Sequence, residues 1–540
     1  MRHGGTALVV ITAGTMLALA GSASAASIAG DFDGDGRDDL AIGVIGQDVG
    51  GVQFAGAVHV LYGARNGLSG ARDRIFTQNS PGIKDQAGDD QFGGALATGD
   101  FDRDGRDDLA IGTPFEDIGG ATNGGAVQVL YGSRRGLTAR DDQIFVHGRR
   151  GLGTDPEDFD AFGWALAAGN FGRSRHDDLA VSTIGGAVAG QDSAGVVEVL
   201  HGWRTGLRVA GSKRFTQATP GIPEDPEPLD NFGWTLAPGD LGKSRRDDLA
   251  IGVPRESVGS AVEAGSVQLL YSGRKGLRPG GNLLLDQLEL DGGVGGVDVE
   301  PEADDRFGWS IAIGDFGRGG RDDIAIGAPF EDVEEPTPMP VPDGGMVMVG
   351  YGAKPGLRTG ADANVQVFYE PVVGAQHTPQ MTFGRTLAAA DFGRTGQADL
   401  ALSLPVADGL GAPRAGAVGV IYGSPSGLTV TGLATQLFGQ DSFGVPDEGE
   451  QDEEFGRFLA AGRFDGTGRA DLAIGVPLES AAGVETAGAV NLLRGRAGPG
   501  LVTKGARLLV QGLGGLNGAA EEGDTFGTAL SGPTSGVLWD

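Results

Sequence analysis

The sequence predicts an all-β fold, a seven-bladed β-propeller of four-stranded antiparallel blades. Three observations lead to this prediction. One unit recurs along the chain with a period of about 72 residues. Each copy contains four short strand patterns, and the two chain ends each supply part of one copy. A ring of small sheets is the architecture in which such copies leave few sheet edges open.

The repeated unit begins with Phe-Gly, passes through a Gly-Asp-Phe turn into Asp-Leu-Ala-Ile-Gly, and continues with Gly-Ala-Val and Tyr-Gly. The residue that opens the turn in the seven copies is, in order, Asp31, Asp100, Asn170, Asp240, Asp315, Asp391 and Arg463. These positions are 69 to 76 residues apart. Such a regular period indicates a repeat architecture and decides the fold before any local pattern is considered.

Within a copy, apolar residues alternate with small ones or form short β-branched blocks, as in 108–113 and 125–131. Gly and Asp bound these segments, as is typical of strands joined by turns. We name the four strands A (after Phe-Gly), B (Asp-Leu-Ala-Ile-Gly), C (ending in Tyr-Gly) and D (after Gly-Leu). The predicted blade cores are about 28–80, 92–148, 162–218, 232–290, 307–370, 383–440 and 455–512.

The chain ends favour a closed ring over the alternative, a solenoid. An eighth Phe-Gly at Phe526 opens a strand, predicted over 526–532, that no turn follows. The N-terminal segment 28–31 enters a turn without a preceding Phe-Gly. Together the two ends complete one blade, whereas a solenoid requires atypical polar caps.

Residues 1–25 have the three parts of a secretory signal peptide: a basic Arg2, an apolar run over 7–20 and Ala-Ser-Ala over 23–25. The prediction is a cleaved leader, a single propeller over 26–540 and a secreted protein. A membrane anchor is the weaker alternative, because Gly14 and Thr15 interrupt a run shorter than the ~20 apolar residues that span a bilayer. No later segment reaches 18 uninterrupted apolar residues, so no membrane span is expected.

The amino-acid composition excludes several classes of function for this protein. The absence of cysteine excludes disulfides, thiol catalysis and Cys-ligated zinc. The net charge of −31 repels phosphate backbones, so no nucleic-acid partner is expected. Calcium, cationic groups and neutral glycans are the better candidates.

The first two A–B turns have the pattern Asp-x-Asp-x-Asp-Gly-x-Asp-Asp. Oxygen ligands at positions one, three, five, seven and nine, with glycine at the sixth, suit a hard cation that takes six to eight oxygens. The predicted calcium ligands are Asp31, Asp33, Asp35, Asp39 and the carbonyl of Arg37, and Asp100, Asp102, Asp104, Asp108 and the carbonyl of Arg106. The alternative is that Asp and Gly only form hydrogen-bonded turns.

The other turns differ from this pattern. Copies three to six have Gly at the third position, a basic residue at the fourth and no carboxylate at the fifth, which predicts turns closed by hydrogen bonds without metal. The seventh turn begins with Arg463 and is intermediate. A third, weaker calcium site there would use Asp465, Thr467, the carbonyl of Arg469 and Asp471.

These motifs, most complete between Phe92 and Gly132, resemble the FG-GAP repeats of the integrin α-subunit propeller and its bacterial relatives. The resemblance covers the chain from residue 26 onward. It implies seven blades, calcium in A–B loops on a lower face, and ligand binding on the opposite, upper face. Only the four aspartates of turn one and the four of turn two match the family's metal pattern fully. The chain lacks the other integrin domains, and its best metal loops lie in the first blades instead of the later ones.

The upper face carries the candidate partner residues. Trp164, Trp234 and Trp309 directly follow Phe-Gly in blades three to five, and Arg385 and Arg457 take that place in blades six and seven. In integrin propellers, aromatic residues at this position help to form a cage over a basic side chain. They equally suit a sugar or packing between blades. The D–A loops are acidic over 155–160, 224–230, 298–305 and 447–454, which predicts a solvated rim or a docking surface for a cation or cationic partner.

The function predicted from the sequence is a secreted, monomeric, calcium-binding adhesion or interaction module with a protein or glycan ligand on the upper face. One alternative is an extracellular hydrolase or lyase, associated with phospholipase D or acting on polysaccharides, with an upper-face site. The other is a structural spacer. The sequence contains no G-x-S-x-G and no H-E-x-x-H, which argues against an enzyme.

Overall fold

The computed structural model describes residues 25–26, 30–85, 87–149, 151–291, 299–333, 341–354, 356–360, 364–369, 373–374, 380–408, 412–431, 435–481, 483–530 and 534–535. Its strands form seven sheets. Apart from Ala25, the predicted signal peptide lies outside the described residues.

The strands of the first three blades follow one another along the chain. Blade one contains β2 (Leu40–Val44), β3 (Ala57–Tyr62) and β4 (Ser69–Phe76). Blade two contains β5 (Ala95–Gly99), β6 (Asp108–Thr113), β7 (Ala126–Tyr131) and β8 (Thr138–Phe145). Blade three contains β9 (Phe162–Gly169), β10 (Asp178–Thr183), β11 (Val196–Trp203) and β12 (Gly206–Phe215).

The remaining blades repeat this arrangement. Blade four contains β13 (Thr235–Gly239), β14 (Asp248–Val253), β15 (Ser266–Gly273) and β16 (Gly276–Leu285). Blade five contains β17 (Ser310–Gly314), β18 (Asp323–Ala328), β19 (Met346–Gly350) and β20 (Val365–Phe368). Blade six contains β21 (Leu387–Ala390), β22 (Asp399–Leu404), β23 (Ala417–Ile421) and β24 (Gln436–Phe438). Blade seven contains β25 (Phe458–Gly462), β26 (Asp471–Val476), β27 (Ala489–Arg496) and β28 (Gly500–Leu509).

Neighbouring strands of a blade are antiparallel and paired in chain order, as β5-β6-β7-β8 illustrates. Blade one takes its first strand from the other end of the chain. The segment β29 (Ala529–Leu530) pairs antiparallel with β2, with Leu530 opposite Ile42. The predicted seven-bladed propeller and its closure by the C-terminal strand are therefore confirmed, and residues 531–532 of that strand lie outside the described part.

Two further short strands lie beside the first strands of other blades. The strand β1 (Ala25–Ala26) pairs in parallel with β21 of blade six. The strand β30 (Thr534–Ser535) pairs antiparallel with β5 of blade two. Each adds a fifth strand to a four-stranded blade.

The core lies between successive blades. Strands B and C are buried along their length because each blade packs against two neighbours, whereas strand D is partly exposed. Phe101 of blade two, for example, belongs to one buried cluster with Leu166 and Leu200 of blade three. The same arrangement joins Phe316 of blade five to Leu387 of blade six.

Two repeated glycines permit this close packing. A Cβ on Gly112 of strand B would collide with the carbonyl oxygen of Gly163 in the next blade. Gly136 of the C–D hairpin has φ 89°, and a Cβ there would collide with the Tyr62 hydroxyl of the preceding blade. The glycine spacing read from the sequence thus reflects backbone conformation and contact between blades.

Loops are sorted onto two faces, as alternating strand direction requires. On the lower face, A–B turns contact C–D hairpins, and the Ser133 amide donates to the Phe32 carbonyl across 3.1 Å. On the upper face, B–C loops contact D–A loops, and the Phe92 amide donates to the Ala55 carbonyl across 2.9 Å. These two faces separate the predicted metal turns from the predicted ligand residues.

Helix is limited, in the described part, to the single turn α1 (Gln287–Asp291) that follows β16. Within the same residues, no helix has the length and hydrophobicity needed to cross a bilayer.

Candidate functional site

The A–B turn of blade one brings three of its predicted metal ligands together. Oxygen atoms of Asp31, Asp33 and Asp39 lie within 4.8 Å of one another. The turn is held by the carboxylate of Asp31, which accepts the amides of Asp35 at 2.9 Å and Gly36 at 2.8 Å. The chain therefore wraps around its own first aspartate and aims three carboxylates at one point.

The A–B turn of blade two has the same geometry. Asp100, Asp102 and Asp108 form a second cluster with oxygens within 4.8 Å. Asp100 accepts the amides of Asp104 at 2.9 Å and Gly105 at 3.0 Å, as Asp31 does in blade one. Identical spacing in the two turns thus produces identical clusters of three carboxylates.

The fifth-position aspartate lies outside each cluster. Asp35 pairs with the guanidinium of Arg37 across 2.7 Å, and Asp104 pairs with Arg106 across the same distance. Four carboxylates were expected to converge in each turn, and three do. The carbonyl groups of Arg37 and Arg106 stay predicted ligands.

The carboxyl groups of the ninth-position aspartates in these two turns have raised pKa values. Burial raises the pKa of Asp39 to about 8 and that of Asp108 to about 9. The carboxylates of Asp33 and Asp102, respectively, raise these pKa values further, while backbone amides that donate to the two groups lower them. A bound cation would favour the ionised forms and relieve this repulsion.

The ninth aspartate also has a structural role that the metal pattern did not reveal. In all seven turns its Oδ1 accepts the amide at the end of strand C, at 2.7 to 3.0 Å. The seven residues are Asp39, Asp108, Asp178, Asp248, Asp323, Asp399 and Asp471. Because blades without a carboxylate cluster have this aspartate too, what distinguishes blades one and two is an aspartate at both the first and the third position.

Arginines neutralise the turn of blade seven. The guanidinium of Arg496 lies 2.9 Å from Asp465, and that of Arg494 lies 3.6 Å from the same carboxylate. Burial raises the pKa of Asp465, but hydrogen bonds from Thr467 and the charge of Arg496 outweigh it and hold the pKa below its usual value. Arg469 turns away to pair with Asp391 of blade six. The protein's own cations thus contact the position proposed for a third ion.

The fourth-position basic residues in the turns of blades three to six bond to backbone outside their own turns. Lys243 donates to the Gly281 carbonyl at 2.6 Å and lies 3.7 Å from the Tyr271 ring centroid. Arg173, Arg318 and Arg394 donate to carbonyls in the same way, at 2.7 to 3.1 Å. These contacts fasten the turns to strand D or to the next C–D hairpin, and the absence of metal from these turns stays a prediction.

The aromatic residues predicted at the upper mouth pack against one another. The ring centroids of Trp164 and Trp234 are 5.4 Å apart, and those of Trp234 and Trp309 are 5.0 Å apart. Their exposed fractions are only 3%, 3% and 2%. Arg385 continues the stack 5.3 Å from Trp309, and Arg457 pairs with Glu454 at 3.0 Å, both buried. This burial agrees with the packing alternative.

The acidic D–A loops lie on the upper face with their final aspartate buried. Asp160 and Asp230 each accept the amide of the glutamate three residues earlier, at 2.8 and 2.6 Å. Beside them, Phe159 and Leu229 are 56% and 49% exposed. Both adopt left-handed φ angles, 67° and 72°, that bulky residues rarely take.

A family model described as FG-GAP repeat matches residues 23–61 and 92–130. The chain carries FG-GAP repeats. The two matched segments include the two turns with carboxylate clusters, and the other five blades share their strand order.

Relatives of this FG-GAP propeller include two groups of proteins. The phosphatidylinositol-glycan-specific phospholipase D of Rattus norvegicus is 30% identical over 221 residues, which are 40% of this chain and 24% of the phospholipase. Integrin alpha pat-2 of Caenorhabditis briggsae is 29% identical over 42% of this chain and 17% of its own length. Integrin alpha-8 of Gallus gallus is 28% identical over 42% and 19%. The chain spans about a quarter of these phospholipases and less of the integrins.

Among solved structures, the biofilm matrix protein Bap1 of V. cholerae covers 91% of this chain and 84% of its own at 10% identity, with a TM-score of 0.14. That score is too low to support an inference.

The eighth-position aspartates of the FG-GAP turns connect neighbouring blades. Asp107 accepts the Asp31 amide of the preceding blade at 2.8 Å, and Asp177 accepts the Asp100 amide at 3.1 Å. At the closure of the ring, Asp38 accepts the Arg463 amide at 2.6 Å. The sequence showed these residues only as neighbours of predicted ligands, because their partners lie one blade away.

We expect Asp38→Ala to lower the free energy of unfolding by about 1 kcal/mol, since the Arg463 amide loses the acceptor that joins blades seven and one. The ring should still close, because Ala398 and Ala470 occupy this position in blades six and seven. Urea denaturation measures the loss. Glu522→Ala, at an exposed site, is the control and should change the stability by less than about 0.5 kcal/mol. Equal effects of the two variants would contradict a role in ring closure.

Proposed function

We propose that this chain is a secreted FG-GAP propeller that binds calcium on its lower face and a partner, as an adhesion or interaction module, on its upper face. The observation that carries the proposal is the pair of matching carboxylate clusters in turns one and two. In this proposal the leader is residues 1–25, and the single propeller over 26–540 functions as a monomer.

Calcium is the cation that best suits the two turns. Their side chains offer only oxygen, and calcium accepts six to eight oxygen ligands in flexible geometry, whereas magnesium retains water and demands a strict octahedron. In the proposed sites the three clustered carboxylates bind first, and Asp35 and Asp104 join them after leaving their arginines. The resemblance to integrin α propellers, which hold calcium in A–B loops, supports this assignment.

Secretion is supported by the N-terminal pattern of Arg2, the apolar run and Ala-Ser-Ala. The absence of cysteine is compatible with export, because a propeller of this length has a large core that needs no disulfides.

The upper-face patch, which we define as Phe159 and Leu229, is the proposed partner site. The two residues occupy equivalent positions in the D–A loops after blades two and three, where later loops have Asp304 and Asp452. Asp304 and Asp452 have the same left-handed φ, 71° and 66°, so the conformation belongs to the loop. What sets the loops of Phe159 and Leu229 apart is an exposed bulky apolar side chain, which costs on the order of 1 kcal/mol or more at such a φ. Acidic residues flank the patch, so a protein partner with apolar and basic side chains fits it best. A glycan is the second ligand class.

The buried tryptophans support this face from within. The Trp234 amide donates to the Asn231 carbonyl at 2.8 Å, and the Trp164 amide donates to Ala161 at 3.2 Å. Both bonds fasten the D–A loops that carry the patch. In this proposal, Trp164 and Trp234, which the sequence predicts as ligand contacts, position the loops that carry the patch.

We expect Phe159→Ser combined with Leu229→Ser to weaken binding of the fluorescently labelled propeller to intact cells of the secreting organism by at least about tenfold, a loss of ~1.4 kcal/mol. Flow cytometry across a concentration series measures the apparent Kd. Phe443→Ser removes another exposed aromatic residue, 99% exposed, and should leave binding unchanged. Unchanged binding by the double variant would contradict the proposed site.

The same cell suspension tests the enzyme alternative. Release of soluble envelope fragments by the purified propeller would support a hydrolase or lyase over a binding module. The similarity to phospholipases covers about a quarter of their length, so their activity is not proposed for this chain.

A further inference from the structure

The lower face of blades three and four is basic, although the chain as a whole carries a net charge of −31. Its A–B turns, its C–D hairpins and the parts of strand D that adjoin them lie in 170–178, 201–213, 240–248 and 271–281. These segments contain eleven Lys and Arg residues and only five Asp residues. Positive charge is therefore concentrated on one part of an acidic protein.

The five aspartates of these segments are bound within the protein. Four of them, the eighth and ninth residues of turns three and four, accept backbone amides at 2.7 to 3.1 Å. The fifth, Asp240, pairs with Arg321 of blade five. None of the ion pairs among the described residues involves the eleven cations. The positive charge of the lower face is thus left for a partner from outside.

Cations of the two blades meet at the junction between them. A Cβ placed on Gly276 of the blade four hairpin would lie 3.6 Å from both Arg173 Cγ and Lys213 Nζ of blade three. A Cβ placed on Gly172 of turn three would collide with the side chain of Arg246 of turn four. Arg173, Lys213 and Arg246 therefore come together at one place on the lower face.

Two further cations form the tip of the hairpin beside them. Arg274 and Lys275 directly precede Gly276, and both are exposed, as is Arg173. Burial and the neighbouring guanidinium of Arg173 lower the pKa of Lys213, as expected where cations lie together without an anion. We name five residues the basic surface: Arg173, Lys213, Arg246, Arg274 and Lys275.

The acidic loops of the upper face are too distant to cancel this charge. Strand β11 of blade three has eight residues, which at about 3.3 Å each separate the two faces by roughly 25 Å. In 0.1 M salt, electrostatic interactions decay over about 10 Å. An approaching anion therefore responds to the basic surface and not to the net charge of the chain.

The chemistry of the basic surface favours an acidic polysaccharide. Its cations lie on turns, a strand and a hairpin tip of one face, so an extended polymer can contact several of them at once. Three of the five are arginines, whose planar guanidinium groups pair with carboxylates through two parallel hydrogen bonds. Trp203, 39% exposed, stacks with His176 of turn three at 6.2 Å between ring centroids and offers a sugar an apolar ring.

Double-stranded DNA suits the basic surface less well. It carries one charge per about 1.7 Å, a higher density than that of a polysaccharide with one carboxylate per sugar. The five aspartates of the adjacent turn two therefore repel DNA more strongly.

We propose that the basic surface binds a uronic-acid polysaccharide, whose carboxylates pair with the cations gathered at the junction of blades three and four. This partner is additional to the one proposed for the upper-face patch, so the propeller has one partner on each face. The contact needs no calcium, because the protein itself supplies the positive charge.

Fluorescence anisotropy with a labelled polygalacturonate oligomer as the probe tests this surface. The full chain is used in low-salt buffer with EDTA, which removes any calcium bridge. We expect Arg274→Glu combined with Lys275→Glu to weaken binding by at least about tenfold, because two attractive contacts become repulsive. The fold should tolerate these changes, since Pro425 and Ser426 occupy the same exposed positions of the blade six hairpin. Raising the ionic strength to about 1 M should release the natural chain from the probe.

The matched control is Arg149→Glu combined with Lys504→Glu, which makes the same charge change at exposed residues outside the basic surface. It should alter the affinity by less than about twofold. Equal losses in the two double variants would overturn the proposal, as would no binding by the natural chain or equal binding of neutral dextran. Tighter binding of duplex DNA or dextran sulfate than of polygalacturonate would overturn the choice of ligand. These outcomes leave the calcium turns and the upper-face patch untouched, because the assay contains EDTA and keeps Phe159 and Leu229.

Discussion

Saturating calcium is expected to raise the Tm of this propeller by about 5 °C, and Asp33→Ala combined with Asp102→Ala is expected to abolish most of that rise. A ligand that binds only the folded state stabilises it by about 2.7 kcal/mol per site when its free concentration is ~100 times Kd. Two sites on a chain of this length correspond to a shift of several degrees. Differential scanning calorimetry in calcium and in EDTA measures it.

The expected rise in Tm arises from the two carboxylate clusters of turns one and two. Without a cation, three carboxylates in each turn repel one another at less than 4.8 Å, and burial disfavours the ionised form of the ninth aspartate. A bound calcium ion attracts all three carboxylates and so offsets their mutual repulsion. Removing the third-position aspartate lowers the negative charge of each cluster and deprives the ion of a ligand.

Asp465→Ala is the matched control, because Asp465 occupies the third position of the blade seven turn and contacts Arg496. It can change the Tm, but the difference between calcium and EDTA should persist. A melting curve that EDTA leaves unchanged in the natural chain would contradict the calcium assignment.

Trp234→Ala is expected to lower the free energy of unfolding by about 3 to 5 kcal/mol, whether or not a partner is present. The indole is 3% exposed and lies between Trp164 and Trp309, so truncation leaves a cavity at the centre of three blades. Trp234→Phe keeps a ring there and should cost less. Urea unfolding followed by circular dichroism measures both.

Trp203→Ala is the control for this variant. Trp203 is 39% exposed at the end of strand C, so its removal should cost about 1 kcal/mol or less. If Trp234→Ala keeps full stability and loses only binding to cells, the tryptophans are ligand contacts and the packing alternative is wrong.

Much of the fold was predictable from local spacing. Phe-Gly, the Asp-Gly turns and strand B recur at a fixed distance, and glycines such as Gly136 adopt the positive φ that their offset indicated. The incomplete copies at the two ends predicted the pairing of β29 with β2. The clustering of the first, third and ninth positions of turns one and two was predictable for the same reason, because nine residues suffice to form the turn.

Other features depend on residues of a neighbouring blade and escaped prediction. Asp38 meets Arg463 across the closure of the ring, and His147 meets Glu198 of the next blade. Spacing within one copy contains no information about these partners.

By itself, the sequence determined the number of blades, the closure of the ring and which turns concentrate carboxylates, since each follows from residues that are close in the chain or repeat along it. Only the tertiary structure decided that Asp35 and Asp104 pair with arginines, that the tryptophans are buried and that Phe159 and Leu229 are exposed. Burial and charge pairing depend on what adjacent blades place around a side chain, and packing between blades sets that.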